Sequence, residues 1–289
     1  MTTPEISFEF FPPKNLEASF RLWDTVQSLA PLAPRFVSVT YGAGGTTREL
    51  TRDAVTTLHK NSGLRVAAHL TCVSATREET LAIADQYAEA GITDIVALRG
   101  DPPKEQGRFQ PTPEGFNSSV ELIEALAAKG TFTLRVGAYP ESHPEAASQK
   151  ANVEWLKRKL DAGADEALTQ FFFEAESFFR FRDACAAAGI DTDRIIPGIL
   201  PIENWKGVRR FAEACGTTIP AWLAEAFEKA ERDNRCDLLA TALCSELCGE
   251  LLAGGVNKLH FYTLNRPELT RDVCHAIGVK SKVRLENVA

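Results

Sequence analysis

What most constrains this chain is a unit that recurs along its whole length: a short apolar run rich in β-branched and aromatic residues, a turn, and then a longer segment with helical spacing. The first run is Ile6 to Phe11. There Ile6, Phe8 and Phe10 alternate with Ser7, Glu9 and Phe11, and Pro12-Pro13 ends the ladder by removing two backbone donors. The pattern returns at Phe36 to Tyr41, Leu64 to Thr71, Asp94 to Leu98, Phe132 to Ala138, Ala167 to Phe173, Ile195 to Leu200 and Leu259 to Thr263. Helical spacing is predicted from about Leu16 to Leu29, Arg48 to Lys60, Thr76 to Ala90, Gly115 to Ala128, Ala146 to Ala162 and Ser177 to Ala188. Thr46 or Thr47 is suited to cap the second of these. A longer helical stretch, about Trp205 to Leu252, separates the last two strands and breaks near Gly216 to Pro220 and near Asp233-Asn234.

Strands that alternate with helices throughout, and that are mostly apolar, form a parallel sheet covered by helices. Eight such units in 289 residues match what a (β/α)8 TIM barrel requires, with extra helices before the last strand. That architecture is expected in preference to an open doubly wound sheet. No linker, low-complexity run or shift in composition divides the chain, so residues 1–289 are expected to form one catalytic barrel domain.

A net charge of -7 argues against nucleic acid and membrane surfaces as partners. The first residues have neither the basic start nor the apolar segment of a signal peptide, and no apolar run is long enough to span a bilayer, so a cytoplasmic location is expected. The seven cysteines include no close C-x-x-C pair and read as reduced, buried hydrophobes; Cys244 and Cys248, at i, i+4, read as helix-packing thiols. No metal site is expected, because His59, His69, His143, His260 and His275 are scattered without ligand spacing. Serine hydrolysis lacks its G-x-S-x-G elbow, and Gly42-Ala43-Gly44-Gly45 lacks the spacing of a dinucleotide fingerprint.

A barrel places its active site at the carboxyl ends of its strands. Read in order, those ends supply Glu9, Thr40 and Tyr41, His69 and Thr71, Arg99 and Asp101, Tyr139 and His143, Gln170, the segment Leu200 to Asn204, and Tyr262 to Arg266. A ring of hydrogen-bonding side chains is hard to explain by packing alone. Gly42, Gly44, Gly45 and Gly100 lie beside it, consistent with a flat ligand against backbone. Glu9 stands among aromatics, where burial would raise its pKa and equip it to donate a proton near neutrality. The competing readings are an edge-strand Glu9 in water, a core histidine at His69, an Arg99–Asp101 ion pair and a structural hydrogen bond at Gln170.

These segments together resemble the flavin-dependent methylenetetrahydrofolate reductases, in their short bacterial form, from Ser7 to about Gly278. The motifs that carry the resemblance are S-F-E-F-F-P-P-K at 7 to 14, V-S-V-T-Y-G-A at 37 to 43, A-L-R-G-D at 97 to 101 and A-Y-P-E-S-H-P-E-A at 138 to 146. They continue with L-K-R-K-x-D-A-G-A at 156 to 164, T-Q-F-F-F at 169 to 173, I-P-G-I-L-P at 196 to 201 and H-F-Y-T-L-N-R at 260 to 266. The resemblance implies a barrel that holds FAD noncovalently, takes electrons from NADH or NADPH, and reduces 5,10-methylenetetrahydrofolate to 5-methyltetrahydrofolate, the two substrates using one flavin face in turn. It implies that Glu9 protonates the departing N10 and that Asp101 stabilises the 5-iminium cation and tunes the flavin. Thr40, His69, Arg99, Gly100, Asp101, Tyr139, His143, Asn152 and Lys159 would bind FAD, and Gln170, Trp205, Tyr262 and Arg266 would contact substrate beside Glu9. Two positions depart from the family pattern: Asn152 where an Asp is common, and Trp205 where a Phe is usual. A homo-oligomer is the expected assembly.

Two other readings compete. A Schiff-base lyase on the same barrel needs a lysine at a strand end, and Lys258 lies at the wrong end. A flavin or folate carrier would need no acid near the ligand, and Glu9 argues against it.

Overall fold

The structure is a computed structural model that describes residues 3–41, 48–101 and 109–282. The expected cap at Thr46 or Thr47 and the glycines Gly42, Gly44 and Gly45 lie outside those residues. Among the described residues nine parallel strands follow one another in the order β7-β6-β5-β4-β3-β2-β1-β9-β8. They are β1 (Glu5–Phe10), β2 (Val37–Val39), β3 (Val66–Thr71), β4 (Asp94–Leu98), β5 (Thr133–Ala138), β6 (Glu166–Thr169), β7 (Ile195–Ile196), β8 (Gly198–Ile199) and β9 (Lys258–Tyr262).

The two shortest strands are the halves of the single run expected from Ile195 to Leu200. Pro197 separates them because it has no N–H to give to a ladder. Its carbonyl is still used, accepting from the His260 amide at 3.0 Å. β7 pairs with β6, and β8 pairs with β9, so one strand hands its hydrogen bonds from one neighbour to the other and closes the barrel.

Helices α1 (Leu16–Leu29), α2 (Arg48–Ser62), α3 (Arg77–Glu89), α4 (Ser119–Ala127), α5 (Gln149–Asp161) and α6 (Ala175–Ala187) follow the first six strands. The extra helices expected before the last strand are α7 (Trp205–Cys215), α8 (Ala221–Arg232) and α9 (Cys236–Ala253), and α10 (Pro267–Ala276) follows β9. Capping explains where the boundaries differ from the sequence pattern. Ser118 accepts from the Glu121 amide, so α4 starts after it rather than at Gly115; Ser148 caps α5 in the same way, displacing its start from Ala146. β6 ends at Thr169, which leaves Gln170 and Phe171 to Phe173 in the following loop rather than in the strand.

Alternation sorts the strand residues into two sets. Phe8, Phe10, Val37, Val39 and Leu70 join the large core between sheet and helices. Phe36, Ala67, Val96, Leu168 and Ile196 form a separate small core, the set of the opposite parity, which packs the barrel interior. Beneath it Arg135, only 2% exposed, bonds Asp94 through Nη1 at 2.6 Å and Glu166 through Nε at 3.0 Å, while its guanidinium lies 3.7 Å from the centroid of Phe36. Arg35 and Lys258 also reach Glu166, at 2.8 and 3.3 Å, and Arg65 reaches Asp94 at 2.7 Å. Lys258 is thereby committed to the closed end of the barrel.

One carboxylate thus serves three cations at this end. Removing one partner of a buried network leaves uncompensated charge. Glu166→Ala is therefore expected to cost on the order of 3–5 kcal/mol, read as a lower urea midpoint at unchanged slope. Glu154→Ala, which frees only the exposed Lys150, is expected to leave the midpoint nearly unchanged.

Candidate functional site

The inward set continues upward to the carboxyl ends of the strands, where two adjoining cavities open. The larger, ≈ 1310 Å³, is lined among others by Glu9, Thr40, His69, Gln170, Tyr262 and Arg266. The smaller, ≈ 460 Å³, runs beside α5 and is lined by Arg99, Tyr139, His143, Asn152, Trp155 and Lys159 among others. Tyr41, Leu98, Asp101, Gly137, Ala138 and Tyr139 belong to both walls.

Glu9 is fixed by register. It stands opposite Ser38 on β2 and Tyr262 on β9, and its carbonyl accepts from the hydroxyl of Thr263 at 2.7 Å. Two buried imidazoles flank its carboxylate: Nε2 of His69 is 3.1 Å from Oε2 and Nε2 of His260 is 3.6 Å away. Neither nitrogen completes a well-formed hydrogen bond there. The Ser7 hydroxyl lies 2.8 Å from Nδ1 of His260, and Phe36 stacks on that ring at 5.7 Å, so the imidazole is held from the side away from Glu9.

The expectation that Glu9 has a raised pKa and carries a proton near neutrality is overturned. Burial does push it up, but the charge of His69 and the close approach of both imidazoles outweigh burial and hold the carboxyl at about 2. Burial moves His260 the other way, below the usual histidine range, against the pull of Glu9. Glu9 is therefore neither an edge-strand residue in water nor an acid carrying its proton at rest, and His69 is a histidine whose free nitrogen faces the cavity's carboxylate.

Cations and polar groups converge on the smaller cavity. Lys159, in the last turn of α5, is buried and gives a hydrogen bond to the Gly137 carbonyl at 2.8 Å. Burial, aided by the charge of Arg99, lowers its pKa to about 8. Arg99 pairs with Glu145 at 2.5 Å rather than with Asp101. His143 meets Tyr139 edge-on at 4.7 Å, and its Nδ1 accepts from the Glu145 amide, which leaves Nε2 as the donor. Asn152 gives a hydrogen bond to the Tyr139 carbonyl at 2.7 Å. An aspartate could not donate there, so the departure at this position ties down the loop that carries Tyr139 and His143.

Not every expected residue reaches the site. Trp205 is buried at the start of α7, stacked on Phe227 with centroids 5.0 Å apart, and lines neither cavity. Phe211, farther along α7, takes the wall instead and stacks on Phe171 at 5.3 Å. Gln170 lines the larger cavity, with Oε1 accepting from the Phe171 amide. Tyr262 gives its hydroxyl proton to the Thr169 carbonyl at 2.6 Å, and Arg266 pairs with Glu203 at 3.5 Å. Gly100 lines the smaller cavity, its φ is +85°, and a Cβ there would fall 2.6 Å from Val73, so the backbone takes this course only without a side chain.

Two glycines shape the site without having stood out in the sequence. A Cβ on Gly198 would lie 2.1 Å from the Thr169 carbonyl and 2.6 Å from the Tyr262 ring, so its absence admits the tyrosine. A Cβ on Gly137 would meet only Leu98, at 3.6 Å, and would project into the space the cavities share. Their signal in the sequence is a glycine inside a strand, which marks close approach. Among the described residues no cluster suited to a metal ion occurs, and no helix is long and apolar enough to cross a membrane.

Known proteins resemble this chain in sequence and in fold. The model of the methylenetetrahydrofolate reductase family matches residues 2–278. The 5,10-methylenetetrahydrofolate reductase of Escherichia coli is 45% identical over 276 residues, 95% of this chain and 91% of that protein. That of Pectobacterium carotovorum is 43% identical over 279 residues, 96% and 91% of the two chains. In fold, the chain is similar to an uncharacterised protein from Clostridium thermocellum that binds two copies of 5-methyl-5,6,7,8-tetrahydrofolic acid, with a TM-score of 0.61, 13% identity and coverage of 95% and 94%. Sequence and barrel agree, and the chain belongs to the methylenetetrahydrofolate reductase family.

Proposed function

We propose that the protein reduces 5,10-methylenetetrahydrofolate to 5-methyltetrahydrofolate, with electrons from NADH or NADPH passed through noncovalently bound FAD. The observation that carries this reading is Glu9, held between two buried imidazoles on the wall of one cavity, where that cavity adjoins a cleft lined by Lys159 and Arg99. The cleft suits a flavin dinucleotide. Gly137 leaves open the floor where a flat ring would rest, and Lys159 and Arg99 supply positive charge for a pyrophosphate. His143 and Asn152 add polar groups, Tyr139 and the Gly100–Asp101 backbone complete the wall of the cleft, and Thr40 and His69 stand on the adjoining wall of the larger cavity. When bound, FAD supplies a ring that accepts a hydride from one substrate and gives it to the next.

The residues account for the remaining chemistry. Opening the five-membered ring of the folate needs a proton on N10 and leaves a cation. Glu9 delivers that proton after taking one up, and His69 at 3.1 Å is the adjacent group able to supply it. Asp101, on the shared wall, places negative charge beside the cation. Gln170 presents an amide to the pterin, with Tyr262 and Arg266 on the same wall.

The purified protein is expected to be yellow, to bleach with NADH or NADPH under anaerobic conditions, and to recover colour on adding methylenetetrahydrofolate. A colourless protein that does not bind added FAD would sink the reading. Glu9→Gln is expected to keep reduction by the nicotinamide donor and to lose folate reduction by roughly 10²-fold or more, the scale of general acid catalysis. Equal loss in both half-reactions, followed by stopped-flow absorbance, would remove Glu9 from the acid role.

Lys159 generates a pH test. Its ammonium form is the one a pyrophosphate favours, and in the free protein that form is lost as pH rises through about 8. FAD affinity is therefore expected to fall from pH 7 to pH 9.5 in flavin-fluorescence titrations, and Lys159→Met is expected to bind more weakly with a flattened profile. Identical pH profiles for the two proteins would exclude Lys159 from anion binding.

A further inference from the structure

Glu9 is anchored by more than the two imidazoles beside it. Ser7, Glu9 and Ser38 have the strand parity opposite to that of Phe8, Phe10, Val37 and Val39 in the outer core, so both serine hydroxyls stand inside the barrel. Register sets Ser38 across from Glu9 and Ser7 across from His260. Ser38, fully buried, gives its hydroxyl proton to Oε2 of Glu9 at 3.4 Å. His69 at 3.1 Å and His260 at 3.6 Å approach the same oxygen. Groups from β2, β3 and β9 thus converge on Oε2, and none of these contacts engages Oε1.

Ser7 acts one step further back. A serine hydroxyl has one proton to give, and an uncharged imidazole has one N–H. His260 is fully buried, and burial, with the charges of His69 and Arg135, favours its uncharged form against the pull of Glu9. Glu9, His69, Arg135 and the edge-on ring of Tyr262 are the charged and titratable groups that face it. The Ser7 hydroxyl lies 2.8 Å from Nδ1. Donation from Ser7 to Nδ1 leaves the ring hydrogen on Nε2, aimed at Glu9. The opposite arrangement, with Ser7 turned to the Leu259 carbonyl at 3.3 Å, would set a lone pair of Nε2 against the carboxylate.

We propose that Ser38 directly, and Ser7 through His260, are positioning residues of the acid: they hold Oε2 of Glu9 and so fix both the direction of the carboxyl group and its strength as a proton donor. This rests on reading Glu9 as the acid of folate reduction. Donors on an ionised carboxylate stabilise that form. The carboxyl is therefore loaded in fewer molecules at neutral pH, but it gives up its proton more readily once loaded. Neither serine lines either cavity, so their effect reaches the chemistry only through Glu9.

The test follows both half-reactions against pH, by stopped-flow absorbance of the FAD-loaded full chain, in the wild type, Ser7→Ala and Ser38→Ala. Folate reduction slows as pH rises through the pKa of the acid. Removing a donor to the ionised form raises that pKa, so Ser38→Ala is expected to move the fall upward by about one pH unit, the scale of one hydrogen bond to a charged group, and to lower the plateau beneath it. Ser7→Ala is expected to move it the same way by less. Flavin reduction by NADH or NADPH is expected to be unchanged in both. A fall that stays in place or moves down would overturn the proposal, as would equal slowing of both half-reactions at every pH, the mark of a disturbed barrel. Ring-nitrogen NMR of His260 supplies a second readout that needs neither flavin nor folate: hydrogen on Nε2 is expected at neutral pH, and hydrogen on Nδ1 alone would remove Ser7 from the role. Should the wild type not reduce the folate, the reading of Glu9 as its acid falls by itself, and the NMR result still decides whether Ser7 and His260 hold the carboxylate.

Discussion

A parallel strand buried on both faces must satisfy every backbone donor and acceptor from its two neighbours, and the sheet meets that demand by closing on itself. The closure runs through the strand divided at Pro197, whose first half bonds β6 and whose second half bonds β9. Everything inward depends on it. Because each strand's register is fixed by both neighbours, alternate side chains of all the strands stack in levels inside the barrel. Those levels are chemically distinct: charged where Arg135 joins Asp94 and Glu166, apolar around Phe36 and Leu168, and polar again at Glu9, His69 and Tyr262.

The levels touch one another. Phe36 lies between the Arg135 guanidinium on one side and the His260 ring on the other, and His260 in turn faces Glu9. A buried carboxylate is costly unless paired. Here two imidazoles do the pairing, one of them anchored through Ser7 and Phe36, so the ionised state of Glu9 reflects the packing beneath it. Family membership and this geometry support the same reading, in which a proton and a hydride are managed in adjoining cavities.

Much of this was legible in the sequence, for physical reasons. Periodicity revealed the strands and helices, and the strand ends then indicated which polar residues would gather at one mouth, Glu9, His69, Gln170 and Tyr262 among them. The protonation state of Glu9 was not legible, because it depends on His69 and His260, which only the closed sheet brings near. Trp205 misled for a related reason. It and Phe211 are six positions apart on α7, about 240° around the helix, so only one can face the cavity, and the phase is set by packing on Phe227. Arg99 was open to a partner nearby, yet Glu145 from the next loop reached it. The roles of Gly137 and Gly198 are invisible until the side chains that would collide or intrude are in place.

Glu9, His69 and His260 come from the first, third and last strands, so the carboxylate's surroundings exist only when the two ends of the chain have met. Contacts between such distant segments carry a large loop-closure cost. Neither end of the chain can build these surroundings alone: β1 brings the carboxylate, β9 brings His260 and Tyr262 beside it, and β3 brings His69 from between them in sequence.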